Sequence, residues 1–199
     1  VEVEYAEKVA DAQGRLASGL IGTGRLVDTE TLLGTIQQVL GRQGDLKDTT
    51  IVVTAGGTQE PIDPVRVITN RSSGKMGYAV AEAARDRGAR VVLITAPTAL
   101  ADPVGVEVVK VNRAVEMRDA VVKETRHAHA LIMAAAVADY QPLKTAAQKI
   151  KKTSAELSIL LEKTPDILSE VKGSFIKVGF AAESEDLLEN ARGKLRKKH

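Results

Sequence analysis

A chain of 199 residues, 44% hydrophobic and 27% charged, can bury one good core and a small appendage. Its net charge of +2 is too near zero to direct binding to nucleic acid, and the absence of cysteine excludes disulfides, thiolate zinc ligands and a cysteine nucleophile within the chain. No apolar run approaches the roughly eighteen residues of a membrane span and no signal-peptide pattern opens the chain, so a cytoplasmic protein without membrane or nucleic-acid partners is expected.

Two helical patterns come first, over Glu4 to Gln13 and over Asp28 to Leu40. In the second, Leu32, Leu33, Ile36, Val39 and Leu40 recur at helical spacing, and Asp28 reads as the cap with Thr31 at its third position. Gly41 to Thr50 is polar and glycine-bearing and reads as a linker. Beyond it strands and helices alternate. Ile51 to Val53 is a buried-strand run, Gly56 and Gly57 form a tight turn, and Gly74 opens a helix from Lys75 to Gly88 that carries Ala79, Val80, Ala83 and Ala84 on one side. Arg90 to Thr95 is a strand, Ala114 to Thr125 a helix and Ala130 to Ala135 a strand. Pro165 to Val171 is a helix, Phe175 to Phe180 a strand and Glu185 to Arg196 a helix. Such repetition predicts an α/β, Rossmann-like, mostly parallel sheet with helices on both faces, preceded by a short helical segment. Ligands of such sheets lie at the carboxyl ends of the strands, where the chemistry-bearing residues cluster here.

The amides around Gly56, Gly57 and Thr58 and around Ser72, Ser73 and Gly74, with the positive end of the following helix, suit a phosphoryl group. Neither standard phosphate-binding signature is met. Thr69 stands where the first P-loop glycine belongs, Met76 follows Lys75 in place of Ser or Thr, and no third glycine completes GxGxxG after Gly56. Ser72 and Ser73 serve equally as helix caps, and Lys75 as a solvated lysine. Ala134, Ala135 and Ala136 let a base or sugar approach the backbone, or else pack a helix on the sheet. Asp139 is placed to accept hydrogen bonds from ribose hydroxyls, and Phe180 is either a base neighbour or core. Lys149, Lys151 and Lys152 form a charge run that reads as a solvated face or as a lysine loop near a triphosphate. Arg66 suits bidentate capture of an anion, or an ion pair with Asp63 or Glu60. His127, His129 and His199 show no metal-ligand spacing and read as surface residues; no metal ligand is assigned.

TAGGTQEPIDPVR from Thr54 to Arg66, continued by TNRSSGKMG from Thr69 to Gly77, closely resembles the synthetase domain of the bifunctional coenzyme A biosynthesis flavoproteins. Those proteins join phosphopantothenoylcysteine decarboxylase and phosphopantothenate–cysteine ligase in one chain. AAAVADY from Ala134 to Tyr140, KIKK from Lys149 to Lys152 and VGFAAE from Val178 to Glu183 fit the same family, so the resemblance runs from Ile51 to Glu183. It implies a ligase that activates 4′-phosphopantothenate with CTP as an acyl-cytidylate, releases pyrophosphate, and lets cysteine displace CMP, with Mg²⁺ (or Mn²⁺) beside the phosphates. By the same resemblance Lys149 forms the activated intermediate, Asn70 converts it, Arg66 holds a phosphate or carboxylate, and Phe180 borders the base. A homodimer is implied as well.

Residues 1–45 resemble the tail of the decarboxylase domain plus a linker, with Ser18 where a catalytic cysteine is expected, so FMN binding and decarboxylation are not expected of this chain. Residues 46–199 are expected to be the ligase domain without its C-terminal part. A nicotinamide-dependent Rossmann reductase and a nucleotide-binding or assembly module without turnover are the alternatives.

Overall fold

In the computed structural model, residues 12–15, 21–151, 156–180 and 192–193 are described. Ser18, Lys152, Ala181 to Glu183 and nearly all of the helix expected over Glu185 to Arg196 lie outside them.

Five strands form one parallel sheet: β3 (Thr50–Ala55), β6 (Arg90–Thr95), β7 (Glu107–Lys110), β8 (Ala130–Met133) and β11 (Ile176–Gly179), in the spatial order β11-β8-β3-β6-β7. The chain runs outward from β3 through β6 to β7, then returns to the other side of β3 for β8 and β11. The order therefore reverses between β3 and β8, and that gap at the strands' carboxyl ends is where a doubly wound sheet holds its ligand. The expected α/β class is borne out.

Period-two alternation decides which layer covers which face. Ile51, Val53 and Ala55 point to the side covered by α2 (Lys75–Arg85), meeting Tyr78, Ala81 and Ala84. Val52, Val92, Ile94 and Leu131 point to the other side, toward Met117 and Val121 of α3 (Ala114–Glu124) and Ile167 of the single turn α4 (Ile167–Glu170). β3 lies between two strands and two helical layers, so its run from Ile51 to Ala55 is buried throughout. Helix α2 approaches β3 closely because Gly77 has no side chain. A Cβ there would stand 2.6 Å from Ala55 Cβ and 2.7 Å from Thr54 O.

Four features differ from the sequence reading. The first helical pattern gives way at its described end to an antiparallel hairpin, β1 (Ala12–Arg15) with β2 (Ile21–Arg25). AQGR offers no helical stripe and contains a glycine, so strand pairing wins. The second pattern is α1 (Thr29–Gly41), with Asp28 capping it through Thr31 N–H at 2.9 Å as expected. The segment read as a linker is docked rather than loose: Leu46 N–H bonds Arg87 O at 3.0 Å and Asp45 pairs with Arg87. Strand β7 and two small antiparallel ribbons were not anticipated. The ribbons are β4 (Gln59–Pro61) with β5 (Val67–Thr69), and β9 (Tyr140–Pro142) with β10 (Leu161–Lys163). Among the described residues no helix is long and apolar enough to cross a membrane.

Candidate active site

At the reversal point the ends of β3 and β8 are stitched together by their own main chains. Ala136 N–H donates to Gly56 O at 2.8 Å, and Thr58 N–H donates to Ala136 O at 3.3 Å, a one-residue extension of the parallel pairing that joins Gly57 to Ala136. Side-chain hydroxyls extend the seam: Ala135 N–H bonds Thr54 Oγ1 at 3.1 Å and Ala138 N–H bonds Thr58 Oγ1 at 2.9 Å. Thr58 is fully buried. Its amide and hydroxyl oxygen hold the floor of the crevice, a task its sequence context does not reveal. Gly56 is buried at φ +78°, and Gly57 lies so close to Asn70 that a Cβ would stand 2.8 Å from Asn70 O.

Asn70 reaches across this floor, its Nδ2 donating to Val137 O at 3.0 Å. Ser72 Oγ accepts from Gly74 N–H at 3.3 Å and Ser73 Oγ from Lys75 N–H at 3.5 Å, so both serines brace the entry to α2. Gly74 is the N-cap of that helix, which aims the helix's positive end into the crevice beside Gly56. Ala134, Ala135 and Ala136 are half-buried along the β8 side. Asp139 is exposed just beyond, its main-chain oxygen held by Thr164 N–H at 3.0 Å, and Phe180 stands exposed at the end of β11, one strand further out.

Arg66 and the main chain of Ile150, the residue after Lys149, are joined by a residue that the sequence reading used only as an ion-pair partner. Asp63 is 2% exposed, forms that ion pair with Arg66 and also accepts Ile150 N–H at 3.1 Å. Glu60, fully buried, accepts Ala114 N–H at 2.8 Å at the start of α3 and lies 3.5 Å from Arg113 Nε. That carboxylate accepts at the N-terminus of α3, as a capping group does. The sequence did carry a signal for Asp63, since Asp-Pro-Val-Arg is an Asx-turn pattern. For Glu60 it carried none.

The family model described as DNA/pantothenate metabolism flavoprotein, C-terminal domain, matches residues 46–199. The chain belongs to this family. It is similar to the coenzyme A biosynthesis bifunctional protein CoaBC of Vibrio vulnificus, with 45% identity over 193 residues covering 94% of this chain and 48% of that protein. Its similarity to CoaBC of Mycobacterium tuberculosis is 47% identity over 206 residues, 94% of this chain and 49% of that one. The chain thus spans about half the length of the curated relatives it matches. Among solved structures, the C-terminal domain of CoaBC superposes with a TM-score of 0.67 at 44% identity, covering 77% of this chain and 74% of that one.

A cavity of about 570 Å³ opens between α3 and the β9–β10 ribbon, lined by Arg113, Arg118, Gln141, Glu162 and Thr164, the last of which also holds the main-chain oxygen of Asp139. The arginines there are engaged, Arg113 with Gln141 at 3.2 Å and Arg118 with Asp119 at 2.7 Å. His129 also serves structure: its Nδ1 accepts Thr50 N–H at 2.9 Å at the start of β3.

The Asp63 carboxyl is held well below the usual carboxylate range, chiefly by the Arg66 guanidinium and further by the N–H groups of Val65, Ile150 and Arg66, against a burial effect of opposite sign. Because the folded value is depressed, the stabilisation is complete above the unfolded value of about 3.9 and is lost as pH falls from there through the folded value. The stability difference between the wild type and Asp63→Asn is therefore expected to be constant from neutral pH down to about 5 and to shrink below about 4. Urea unfolding across that range checks it. A difference that stays constant through the acid range would show that the charge of Asp63 is not what stabilises the fold.

Proposed function

We propose that residues 46–199 form a phosphopantothenate–cysteine ligase domain of coenzyme A biosynthesis, and that residues 1–45 are the tail of a decarboxylase domain with its linker. The observation that supports this best is the crevice itself: Asn70 tied to Val137, the α2 N-terminus beside Gly56, and the Lys149 segment fastened to Arg66 by Asp63, in a chain some 45% identical to CoaBC proteins.

The reading rests on what carboxylate activation needs. Phosphopantothenate and a nucleoside triphosphate are both anions, so their approach requires positive potential in a confined space. In this reading the α2 amides and Lys75 supply it on the β3 side and Lys149 on the other. The pantothenate carboxylate forms a bond to the α-phosphorus of CTP, the bond to the β-phosphate oxygen breaks, and pyrophosphate leaves. Cysteine's amine then attacks the acyl carbon of the acyl-cytidylate, the carbon–oxygen bond breaks, CMP departs and the amine's proton passes to solvent. Small side chains at Ala134, Ala135 and Ala136 admit the nucleoside, Asp139 accepts from its ribose, Phe180 borders the base, and Arg66 holds a substrate anion. Mg²⁺ or Mn²⁺ would neutralise phosphate charge; among the described residues no three His, Asp or Glu side chains form a cage, which suits an ion held chiefly by phosphate oxygens. Exposed Val65, Val67, Tyr140, Leu160 and Leu161 on and beside the ribbons suit a homodimer, and the reaction belongs in the cytoplasm.

The test is pyrophosphate release from CTP with Mg²⁺ and 4′-phosphopantothenate, with and without cysteine, alongside mass spectrometry for the acyl-cytidylate. Release that depends on phosphopantothenate supports the ligase; CTP binding without release makes the chain a nucleotide-binding module instead, and a preference for NADPH over CTP points to a reductase. Within the ligase, Asn70→Asp sets a carboxylate against the Val137 carbonyl in place of a donor. It is expected to spare CTP binding and acyl-cytidylate formation but slow the cysteine step by about 100-fold, as misplacement of a reacting group does. An unchanged cysteine step in single-turnover measurements would remove Asn70 from the mechanism.

A further inference from the structure

Among the described carboxylates near the crevice, Asp63 is the one whose two oxygens are both used several times over. Its Oδ1 accepts the N–H groups of Val65 and Arg66, each at 2.9 Å, which closes the turn between β4 and β5. Its Oδ2 accepts Arg66 Nε at 3.0 Å and Nη2 at 2.5 Å, and from a distant part of the chain Ile150 N–H at 3.1 Å. Arg66 Nη2 completes the clamp by donating to Ile150 O at 3.2 Å. Both main-chain groups of the residue after Lys149 are thus gripped by one ion pair.

Little else holds that segment. From Leu143 to Lys149 only Ala146 is even half-buried, and none of these residues belongs to a helix or strand. Its later attachments lead to the same ribbon, Ala146 N–H to Ile62 O at 3.0 Å and Thr145 Oγ1 to Pro61 O at 3.1 Å, while Leu143 N–H at its start bonds Leu160 O at 3.0 Å. A lysine carried on such a segment would lose reach and direction if the backbone beside it swung free.

We propose that Asp63 is a positioning residue for Lys149: by clamping Ile150 directly and through Arg66, it fixes the backbone from which the Lys149 ammonium reaches the crevice. Arg66 is then a shared part. Its Nε and Nη2 belong to the clamp and its Nη1 lies outside this set of bonds, so it can brace the lysine segment and meet a substrate anion together. The kinetic half of this inference rests on the ligase reading, and the structural half does not.

Amide hydrogen exchange followed by NMR tests the structural half on the intact chain. In the wild type, Ile150 N–H is expected to exchange at least about tenfold more slowly than a solvated amide, and in Asp63→Asn that protection is lost while the amides of β3 and β6 keep theirs. An Ile150 amide that is unprotected in the wild type, or equally protected in Asp63→Asn, overturns the proposal; the wild-type measurement alone decides if the variant does not fold. For the kinetic half, Asp63→Asn is expected to lower kcat for phosphopantothenate-dependent pyrophosphate release by about 10- to 100-fold, with KM for CTP within about threefold. Added to Lys149→Gln, it should cost less than about threefold more, because both changes remove the same contribution. Losses that multiply overturn the assignment. If the wild type releases no pyrophosphate, the ligase reading falls, and the exchange experiment still decides whether Asp63 holds the loop.

Discussion

Lys149→Gln is expected to lower phosphopantothenate-dependent pyrophosphate release by about 10²- to 10³-fold, comparable to the loss of one preorganised charge-stabilising group at a reacting centre. The side chain is exposed, so unfolding free energy should move by no more than about 0.5 kcal/mol. The contrast between a large kinetic and a negligible thermodynamic effect gives the prediction its content. Glutamine keeps most of the length and a donor but removes the charge, and charge is what accumulates as a carboxylate meets a triphosphate and pyrophosphate departs. The loss should fall on the first step: in rapid-quench experiments the acyl-cytidylate fails to form, whereas in Asn70→Asp it forms and persists. A Lys149→Gln enzyme within about threefold of the wild type would return the lysine run to an ordinary solvated face and leave the α2 N-terminus and Lys75 to neutralise the phosphates.

The elements that position this site were legible where burial imposes a period. The Ile51 to Val53 run reads as a central strand because both faces are covered, and α3 meets the sheet with one stripe; the stripe read for α2 was misplaced, since Ala79 and Ala83 are exposed and Tyr78, Ala81 and Ala84 face the sheet. β7 escaped because an edge strand of sequence EVVK, with charged residues at both ends and half-buried valines between, carries too short a pattern to register. The ribbons escaped for another reason. Each strand has three residues, one contains Pro61 and another Pro142, and β9 finds its partner only beyond residues 143–160, so nothing local announces the pairing. The same split runs through the site. Glycines and small residues at strand ends announced a crevice lined by bare backbone at the point where the strand order reverses. The division of labour did not show, because whether a donor faces a ligand or a neighbouring carbonyl depends on contacts from far along the chain. Thr58 turns inward to Ala136 and Ala138 and cannot be told from Thr69, whose hydroxyl bonds the next residue, by reading the string that holds both.

Gly56→Ala is expected to lower the unfolding free energy by about 3 kcal/mol, the sum of two costs with nothing to offset them. A φ of +78° costs an L-residue about 1–2 kcal/mol. The new methyl would stand 2.7 Å from Ala96 O and 3.0 Å from Ala96 C, main-chain atoms at the end of β6 that cannot turn aside, and forcing extra volume into such a place costs about 1–3 kcal/mol. Gly77→Ala makes the useful comparison. It meets equally immovable atoms of β3, but alanine in place of glycine inside a helix returns about 1 kcal/mol, so the net loss there should be smaller. The consequence for the site is sharper at Gly56, because its carbonyl receives Ala136 N–H and Ala96 N–H is bound to Ala55 O. Any displacement that relieves the clash pulls the seam between β3 and β8 apart at the crevice floor. Urea unfolding and CTP titration of the two variants should separate the effects: both are destabilised, while nucleotide affinity falls further in Gly56→Ala than the ratio of stabilities would suggest. Equal losses of affinity would mean that the seam is not part of the nucleotide site, and that Gly56 serves the fold alone.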